Sequence, residues 1–263
     1  MTPTPSSSQV YDANALAFFN AVEGGGDTLT TTEKSAVNTL VLNLKSASLW
    51  TLFDCFYPFV GGTSSSSKWN LMDPRDLDVA YRITWTGGMS FSSSGILGNG
   101  LNSGGDTYLN PQTESYTDIT IGVYINGGLV ATPTGWYDMG GYDGSDDAMI
   151  SLGFNNKTTK YVCFDGLNYI TTTSGTYTAS LLTGVNDGTE SLLYQNTTLV
   201  ANVPQTLAQV NESIGIGYSN RSSPISYSAR GYSVSFISGT GFSSGQISSL
   251  SSAINTFNTT LSR

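Results

Sequence analysis

A concentration of charged side chains between residues 68 and 82 is the first feature of the sequence that could do chemistry. The chain as a whole is only 11% charged. Paired carboxylates could supply the acid and the base of a glycosidase, and carboxylates at alternate positions could bind calcium. The charged residues of this segment are Lys68, Asp73, Arg75, Asp76, Asp78 and Arg82.

Local chemistry favours a structural role for this charged segment. A calcium-binding EF-hand loop needs a glycine and a glutamate at defined positions, and the segment lacks that pattern. Asp73 precedes a proline, which is typical of a turn. Arg75 or Arg82 can form forked hydrogen bonds to Asp76 or Asp78. The segment is therefore predicted to be an ion-paired clasp where a helical region enters a β-sandwich.

The stretch 135–147 is a second candidate, because it mixes aromatic residues, glycines and aspartates. Aromatic faces beside carboxylates are typical of sugar-binding sites, and carboxylate oxygens could bind calcium. A solvated acidic hairpin loop is the favoured alternative, because acidic runs are usually exposed to water. The residues of the glycan hypothesis are Trp136, Tyr137, Asp138, Tyr142 and Asp143, and those of the calcium hypothesis are Asp143, Asp146 and Asp147.

Histidine is absent from the sequence, and this absence excludes several kinds of active site. A Ser-His-Asp triad, a Cys-His pair and the commonest zinc ligand are all ruled out. Any hydrolysis would depend on carboxylates, and no matched carboxylate pair is recognisable. Cys55 and Cys163 each lie among aromatic residues, which favours two buried free thiols over a disulfide.

The overall composition indicates an acidic protein with a substantial core. Of the 263 residues, 38% are hydrophobic, and the net charge is −9. Only ten residues are basic, which argues against nucleic-acid binding. No apolar run of about 18 residues predicts a membrane span. The N-terminus also lacks the basic and apolar regions of a secretory signal.

Hydrophobic periodicity predicts helices at both ends of an all-β body. Residues 12–22 have helical spacing, and a second helix begins near Thr30 with Glu33 available for a capping box. From about Leu77 the period changes to two, and turn residues separate many short strands. This pattern is typical of a β-sandwich or barrel.

The domain organisation follows from the same pattern. Residues 1–60 are predicted to form a polar tail and a helical segment used for attachment or packing. Residues 61–263 are predicted to form the sandwich, closed by a C-terminal helix over 243–263.

Three stretches of the chain resemble a known group of proteins. YPFVGGTSSSSKWNLMDPRDLDVAYRITWTGG, GNGLNSGGDTYLNP and SIGIGYSNRSSPISYSARGYSVSFISGTGFSSGQISSL are similar to segments of virion proteins of tailed bacteriophages, notably phages of Bacteroidetes and crAss-like phages. The resemblance implies a concanavalin-like or laminin-G-like jelly roll with flanking helices. It also implies a structural component of the particle, such as a tail, a fibre or a capsid-attached decoration, without enzyme activity.

The resemblance and the residues together give three functional hypotheses. The first is a virion structural protein, located in the virion, whose partners are other virion proteins and further copies of itself. The second is a glycan-binding adhesin that contacts the host surface through residues 135–147. The third and least favoured is a glycoside hydrolase that uses acidic residues. No cofactor is expected other than calcium.

Overall fold

The computed structural model describes residues 10–127, 137–144, 148–155, 159–165, 169–173, 178–220 and 227–263. Its helices are α1 (Ala13–Gly24), α2 (Thr31–Ser46) and α3 (Ser244–Thr260). Its strands are β1 (Cys55–Pro58), β2 (Thr84–Thr86), β3 (Ser90–Ser92), β4 (Gly95–Leu97), β5 (Gly104–Asp106), β6 (Ile119–Gly127), β7 (Tyr137–Asp143), β8 (Ala148–Asn155), β9 (Thr159–Cys163), β10 (Ile170–Thr173), β11 (Ser180–Asn186), β12 (Glu190–Gln195), β13 (Thr198–Pro204), β14 (Gly215–Ile216) and β15 (Gly231–Ser238).

The strands form two antiparallel sheets that pack face to face. Sheet A has the order β13-β12-β11-β6-β15-β4-β3, and β1 also pairs with β15. Sheet B has the order β10-β9-β8-β7-β14-β5-β2. The predicted fold class, a β-sandwich with N-terminal helices and a C-terminal helix, is confirmed.

Capping boxes begin two of the helices, as the sequence indicates. The Thr30 side chain accepts a hydrogen bond from the Glu33 backbone, and the Glu33 side chain accepts one from the Thr30 backbone. Ser243 and Gln246 make the same reciprocal pair at the start of α3. Each pair satisfies backbone N–H groups that an uncapped helix would leave without partners.

Sheet A is the middle layer of the described fold, and its central strands are buried on both faces. One face packs against the three helices through a core that includes Val234 and Phe236. The other face packs against sheet B through a core that includes Ile121 and Met139. Every residue of β11 and β15 is buried, as expected for strands covered on both sides.

Sheet B therefore has one inner face and one outer face. Met139 and Ile216 belong to the core between the sheets. A Cβ atom at Gly105 would contact core side chains, so Gly105 also faces inward. Because side chains alternate along a strand, the neighbouring Gly104 and Asp106 face outward, away from sheet A.

The structure differs from the sequence prediction at 135–147. Residues 137–143 form β7, a central strand of sheet B, where an acidic hairpin loop was expected. The sequence pattern was misleading because glycines occupy two consecutive positions of this strand, Gly140 and Gly141, where apolar side chains would have shown its periodicity. Strands β1, β3, β4 and β5 are also short elements that periodicity did not reveal.

Two further features of the sequence, the cysteines and the lack of a membrane span, can be compared with the structure. Cys55 and Cys163 are both buried, and no disulfide joins them. Within the described ranges, no helix combines the length and the apolar character that a membrane crossing requires.

Asn70 joins the charged segment to β1. Its side chain is 1% exposed. Its Oδ1 accepts hydrogen bonds from the backbone of Phe56 at 3.0 Å and of Met72 at 3.1 Å. Its Nδ2 donates to the carbonyl oxygens of Asp54 at 2.9 Å and Ala80 at 3.1 Å. One buried amide thus satisfies four backbone groups from three separate parts of the chain.

We predict that Asn70→Ala destabilises the protein by about 3 kcal/mol, because it leaves several buried backbone groups without partners. The thermal midpoint should fall by roughly 6–12 °C, which calorimetry would measure. The matched control is Asn255→Ala on the exposed face of α3, where a change within about 0.5 kcal/mol is expected. Equal midpoints for both variants would contradict this role of Asn70.

Candidate functional site

The structure brings most of the charged segment together as a chain of ion pairs. Lys68 Nζ lies 2.8 Å from an Asp76 oxygen. Arg82 lies 3.2 Å from Asp76 and 2.8 Å from Asp78. Asp73 pairs separately with Arg75, and this pairing lowers the pKa of Asp73. The ammonium of Lys68 also lies 4.4 Å above the ring of Trp69.

These ion pairs lie at the surface. The side chains of Asp76 and Asp78 are each 54% exposed, and that of Arg75 is 62% exposed. Exposed ion pairs contribute at most about 1 kcal/mol each. The buried Asn70 therefore provides stronger anchorage for this segment than the charges do, and the clasp remains a prediction about stability.

The stretch 135–147 is only partly described, and its described residues do not form one site. Trp136, Asp146 and Asp147 lie outside the described residues. Tyr142 and Asp143 are half-buried near the end of β7. The remaining aromatic residue, Tyr137, is half-buried on β7, and its hydroxyl lies 3.0 Å from that of Tyr169.

Asp138 is the centre of a buried polar network. Its side chain is fully buried and forms an ion pair with Arg230 at 2.7 Å. Its carboxylate also accepts hydrogen bonds from Ser228 Oγ at 2.9 Å and from the Tyr232 hydroxyl at 2.5 Å. Burial, with the Asp138 charge next in size, raises the pKa of Tyr232. The structure thus corrects the expectation for Asp138, because an enclosed, ion-paired carboxylate cannot contact a sugar at the surface.

The calcium hypothesis gains no support from the part of the chain that the structure describes. No group of three or more potential metal-ligating side chains occurs within those ranges. The hypothesis depends on Asp143, Asp146 and Asp147, and two of these residues are not described.

The outer face of sheet B carries a group of tyrosines that the sequence did not single out. The ring of Tyr218 lies on two glycines of neighbouring strands, Gly104 and Gly215. A Cβ atom at either glycine would approach the ring to 2.3 Å and 2.6 Å respectively, so only glycine leaves room for it. Tyr227 stacks on Tyr218 with ring centroids 5.6 Å apart and an interplanar angle of 20°.

Tyr108 adds an exposed aromatic residue beside this stack. It is 36% exposed and has a left-handed backbone conformation with φ 61°. Its backbone N–H donates to Asp106 Oδ1 at 2.9 Å, and its hydroxyl donates to Thr84 Oγ1 at 2.9 Å. Two hydrogen bonds therefore hold the ring in place although it is open to solvent.

Carboxylates surround these tyrosines. Burial raises the pKa of Tyr218, and the charges of Asp106 and Glu212 raise it further. Burial also raises the pKa of Glu212, and so do the charges of Asp143 and Asp106. We call Tyr108, Tyr218, Tyr227, Asp106, Asp143 and Glu212 the Tyr218 cluster.

Neutral polar groups complete the surroundings of this cluster. Ser213 Oγ donates to Asp106 Oδ1 at 2.6 Å, and Asn220 Nδ2 donates to Ser213 Oγ at 2.6 Å. The three residues thus form a hydrogen-bonded row beside the tyrosine rings. All of these side chains are half-buried, which leaves part of each open to solvent.

Sequence reasoning had little chance of finding the Tyr218 cluster. Its members come from β5 and the residue two positions beyond it, from the end of β7 and from the chain on either side of β14. The sequence did contain one signal, which is that glycine-rich strand segments occur together with tyrosines. A strand surface made of glycines has room for an aromatic ring. The sequence alone does not show which glycine lies under which ring.

We predict that Asp138→Ala lowers the free energy of unfolding by about 3–5 kcal/mol, because Arg230 would be left buried without its partner. The control, Asp78→Ala, removes the partner of one exposed ion pair and should cost at most about 1 kcal/mol. Denaturant unfolding of both variants would measure the difference. Similar losses for the two would show that burial of the Asp138 pair does not matter.

Comparison with known proteins supports the fold and leaves the family open. No protein-family model and no curated protein matches the chain. A Trypanosoma rangeli sialidase in complex with 2,3-difluoro-KDN is similar, with a TM-score of 0.54 and 12% identity over 85% of this chain. The match covers 40% of that sialidase chain, so this protein spans less than half of its length.

Two sugar-bound structures are more distantly similar. The CBM40 of a Ruminococcus gnavus IT-sialidase, bound to α2,3-sialyllactose, has a TM-score of 0.45 at 13% identity, over 56% of this chain and 92% of that chain. The binding domain of botulinum neurotoxin DC, in complex with SialylT, has a TM-score of 0.47 at 12% identity, over 66% and 47%. At 12% sequence identity, the similarity to the sialidase shows only that the two proteins share a β-sandwich fold.

Proposed function

We propose that this protein binds glycans at the Tyr218 cluster and does not cleave them. The observation that carries the proposal is the stack of Tyr218 and Tyr227 on the outer face of sheet B, beside the exposed ring of Tyr108. Helices cover the far face of sheet A, so the outer face of sheet B is the sheet face that neither the helices nor the other sheet covers in the described fold.

The chemistry of this surface suits a sugar. Tyrosine rings offer flat apolar faces for the C–H groups of a pyranose, and their hydroxyls offer hydrogen bonds. Asp106 and Asn220 add an acceptor and a donor for sugar hydroxyls. Sites of this kind combine aromatic walls with a few oriented polar groups. The glycine floor and the hydrogen bonds described above hold the rings, which reduces the entropy lost on binding.

A hydrolase is the weaker alternative at the same place. Glu212 lies close enough to Asp143 and Asp106 for their charges to raise its pKa, in addition to the effect of burial. Glycosidases need one protonated and one ionised carboxyl across the scissile bond. We propose a binding role because these carboxyl groups lie beside the stacked rings of Tyr218 and Tyr227. Incubation of the purified protein with any sugar that it binds should therefore release no shorter product.

We predict that Tyr227→Ala lowers the affinity for the bound glycan by about tenfold or more, since it removes one aromatic face of the stack. A glycan array would first identify a ligand, and titration calorimetry would then compare the variants. Tyr227→Phe is the matched control, because it keeps the ring and loses only the hydroxyl. It should retain most of the affinity.

Two further variants distinguish this surface from the stretch 135–147. Trp136→Ala and Tyr169→Ala should leave binding unchanged, because neither residue belongs to the Tyr218 cluster and the Tyr169 hydroxyl contacts that of Tyr137 instead. Loss of binding in either variant, with Tyr227→Ala unaffected, would move the site to that stretch. Binding that survives every one of these substitutions would refute the proposal for this surface.

A virion location is a second proposal, and it rests on the sequence resemblance. One structural observation favours a role in packing: α3 contains no charged residue, and its exposed positions are serine, threonine, asparagine and glycine. Two open grooves of about 500 and 690 Å³ flank this helix, lined mainly by hydroxyl groups and amides. An uncharged face of this kind could pack against a neighbouring particle protein, or a further copy, without leaving buried charges unpaired.

We predict that the protein is part of purified phage particles, because the virion hypothesis requires it. Mass spectrometry of particles would detect it, and electron cryomicroscopy would place the sandwich on the tail or capsid. The helical face should point toward a neighbour and the Tyr218 cluster toward solvent. Absence from the particles would remove the virion proposal and leave the glycan proposal standing.

A further inference from the structure

The outer face of helix α3 is made of small, uncharged side chains along its whole length. The exposed residues of the helix recur at helical spacing, and none of them is charged. They are Ser244, Gly245, Ser248, Ser249, Ser252, Asn255, Thr256, Thr259 and Thr260. The solvent face of a surface helix usually carries charged side chains, so this composition favours a face that packs against protein.

Two grooves flank this face and share one row of side chains. The first lies between α3 and the turn from β12 to β13, where Thr197 lines it, and the second lies between α3 and α2, where Asn43 lines it. The residues that line both grooves are Ser248, Ser252 and Thr256. Side chains four positions apart form a ridge along a helix, so the face has a ridge with a groove on either side.

The first groove contains a buried hydroxyl group without a partner. Ser251 lines this groove and is 1% exposed, and its Oγ forms no hydrogen bond with any described residue. A buried polar atom that lacks a partner costs free energy. The groove therefore favours an occupant that brings a hydrogen-bonding group to Ser251.

Several other hydroxyl groups of this face are already satisfied within the helix. The Thr256 hydroxyl donates to the Ser252 carbonyl at 3.0 Å. Ser249 and Thr260 donate in the same way to the carbonyls four residues earlier, at 3.1 Å and 2.8 Å. These donors keep their partners when the face is covered, so covering them leaves no donor unpaired.

We infer that the α3 face binds the α3 face of a second copy of this chain, with the ridge of each copy in a groove of the other. The inference rests on the packing role proposed above for this face and names its partner. A ridge beside a groove complements the same pair on a copy rotated by a two-fold axis. The second copy brings hydroxyl and amide groups, which is the chemistry that the unpaired Ser251 hydroxyl requires.

Electrostatics also favours this face for contact between copies. Each chain has a net charge of −9, so two copies repel one another at long range. Contact through α3 brings no carboxylate of this helix against another, and it buries no charge. Small side chains also let two helix axes approach to about 8 Å.

Sedimentation equilibrium of the full chain, over rising protein concentration, would measure the association. We expect the mean mass to rise from that of one chain toward that of two. Ser252→Glu places a like charge at the centre of each ridge and should weaken association by about tenfold or more. Thr32→Glu is the matched control, because it adds the same charge at an exposed position of α2 that lines neither groove. Association should be unchanged in that variant.

A cysteine variant locates the contact directly. Ser252→Cys places a thiol at the centre of the ridge, and mild oxidation should link two chains through it, since both native cysteines are buried. Thr32→Cys should give no linked pair.

The outcomes separate this inference from the virion role on which it rests. A mass of one chain at every concentration up to about 1 mM would overturn it. Association that Ser252→Glu leaves unchanged, or linkage through Thr32→Cys as fast as through Ser252→Cys, would also overturn it. Absence of the protein from purified particles would leave the pairing of copies intact and remove only the virion role.

Discussion

The burial of sheet A on both faces is the constraint on which the rest of the structure depends. Strands β11 and β15 have no exposed residue, so neither face of the sheet meets water at these central strands. The three helices cover one face, and sheet B covers the other. Because both of these surfaces are used for packing, the outer face of sheet B is the sheet face that neither the helices nor sheet A covers in the described part of the chain. The position of the candidate site follows from that arrangement.

The buried ion pair of Asp138 and Arg230 links this open face to the core. Asp138 belongs to β7 in sheet B, and Arg230 directly precedes β15 in sheet A. The backbone N–H of Ser228 donates to the carbonyl of Gly217 at 2.7 Å, in the segment that continues β14. Tyr227 and Tyr218 adjoin these two residues in the chain. The same network that ties the two sheets together therefore also positions the stacked tyrosines.

Charge has two different uses in this protein. In the segment 68–82, acidic and basic side chains pair with one another at the surface, where each pair has a small effect on stability. In the Tyr218 cluster, acidic side chains lie near one another, and burial, together with the charges of Asp143 and Asp106, raises the pKa of Glu212. Carboxyl groups whose pKa is shifted by burial and by neighbouring charges are often found at functional sites. The charged segment was the more obvious one in the sequence, and the acidic cluster is the one that suits a binding site.

The sequence by itself determined the class of the fold, because that class depends on interactions between residues close together in the chain. The caps at Thr30 and Ser243 and the helical spacing that follows them depend on residues a few positions apart, and so do the alternating strands of β6 and β15. The absence of histidine also excluded several kinds of active site, because composition can be read without knowing the fold.

Only the tertiary structure decided which residues meet. It placed Asp138 in the core although its neighbours in the sequence resemble an exposed acidic loop. It also set Tyr218 on Gly104, more than a hundred positions earlier in the chain. The physical reason is that strand pairing brings together backbone segments without regard to their separation in sequence. Their register depends on how both faces of the sheet pack, and this packing cannot be read from the sequence of any single segment.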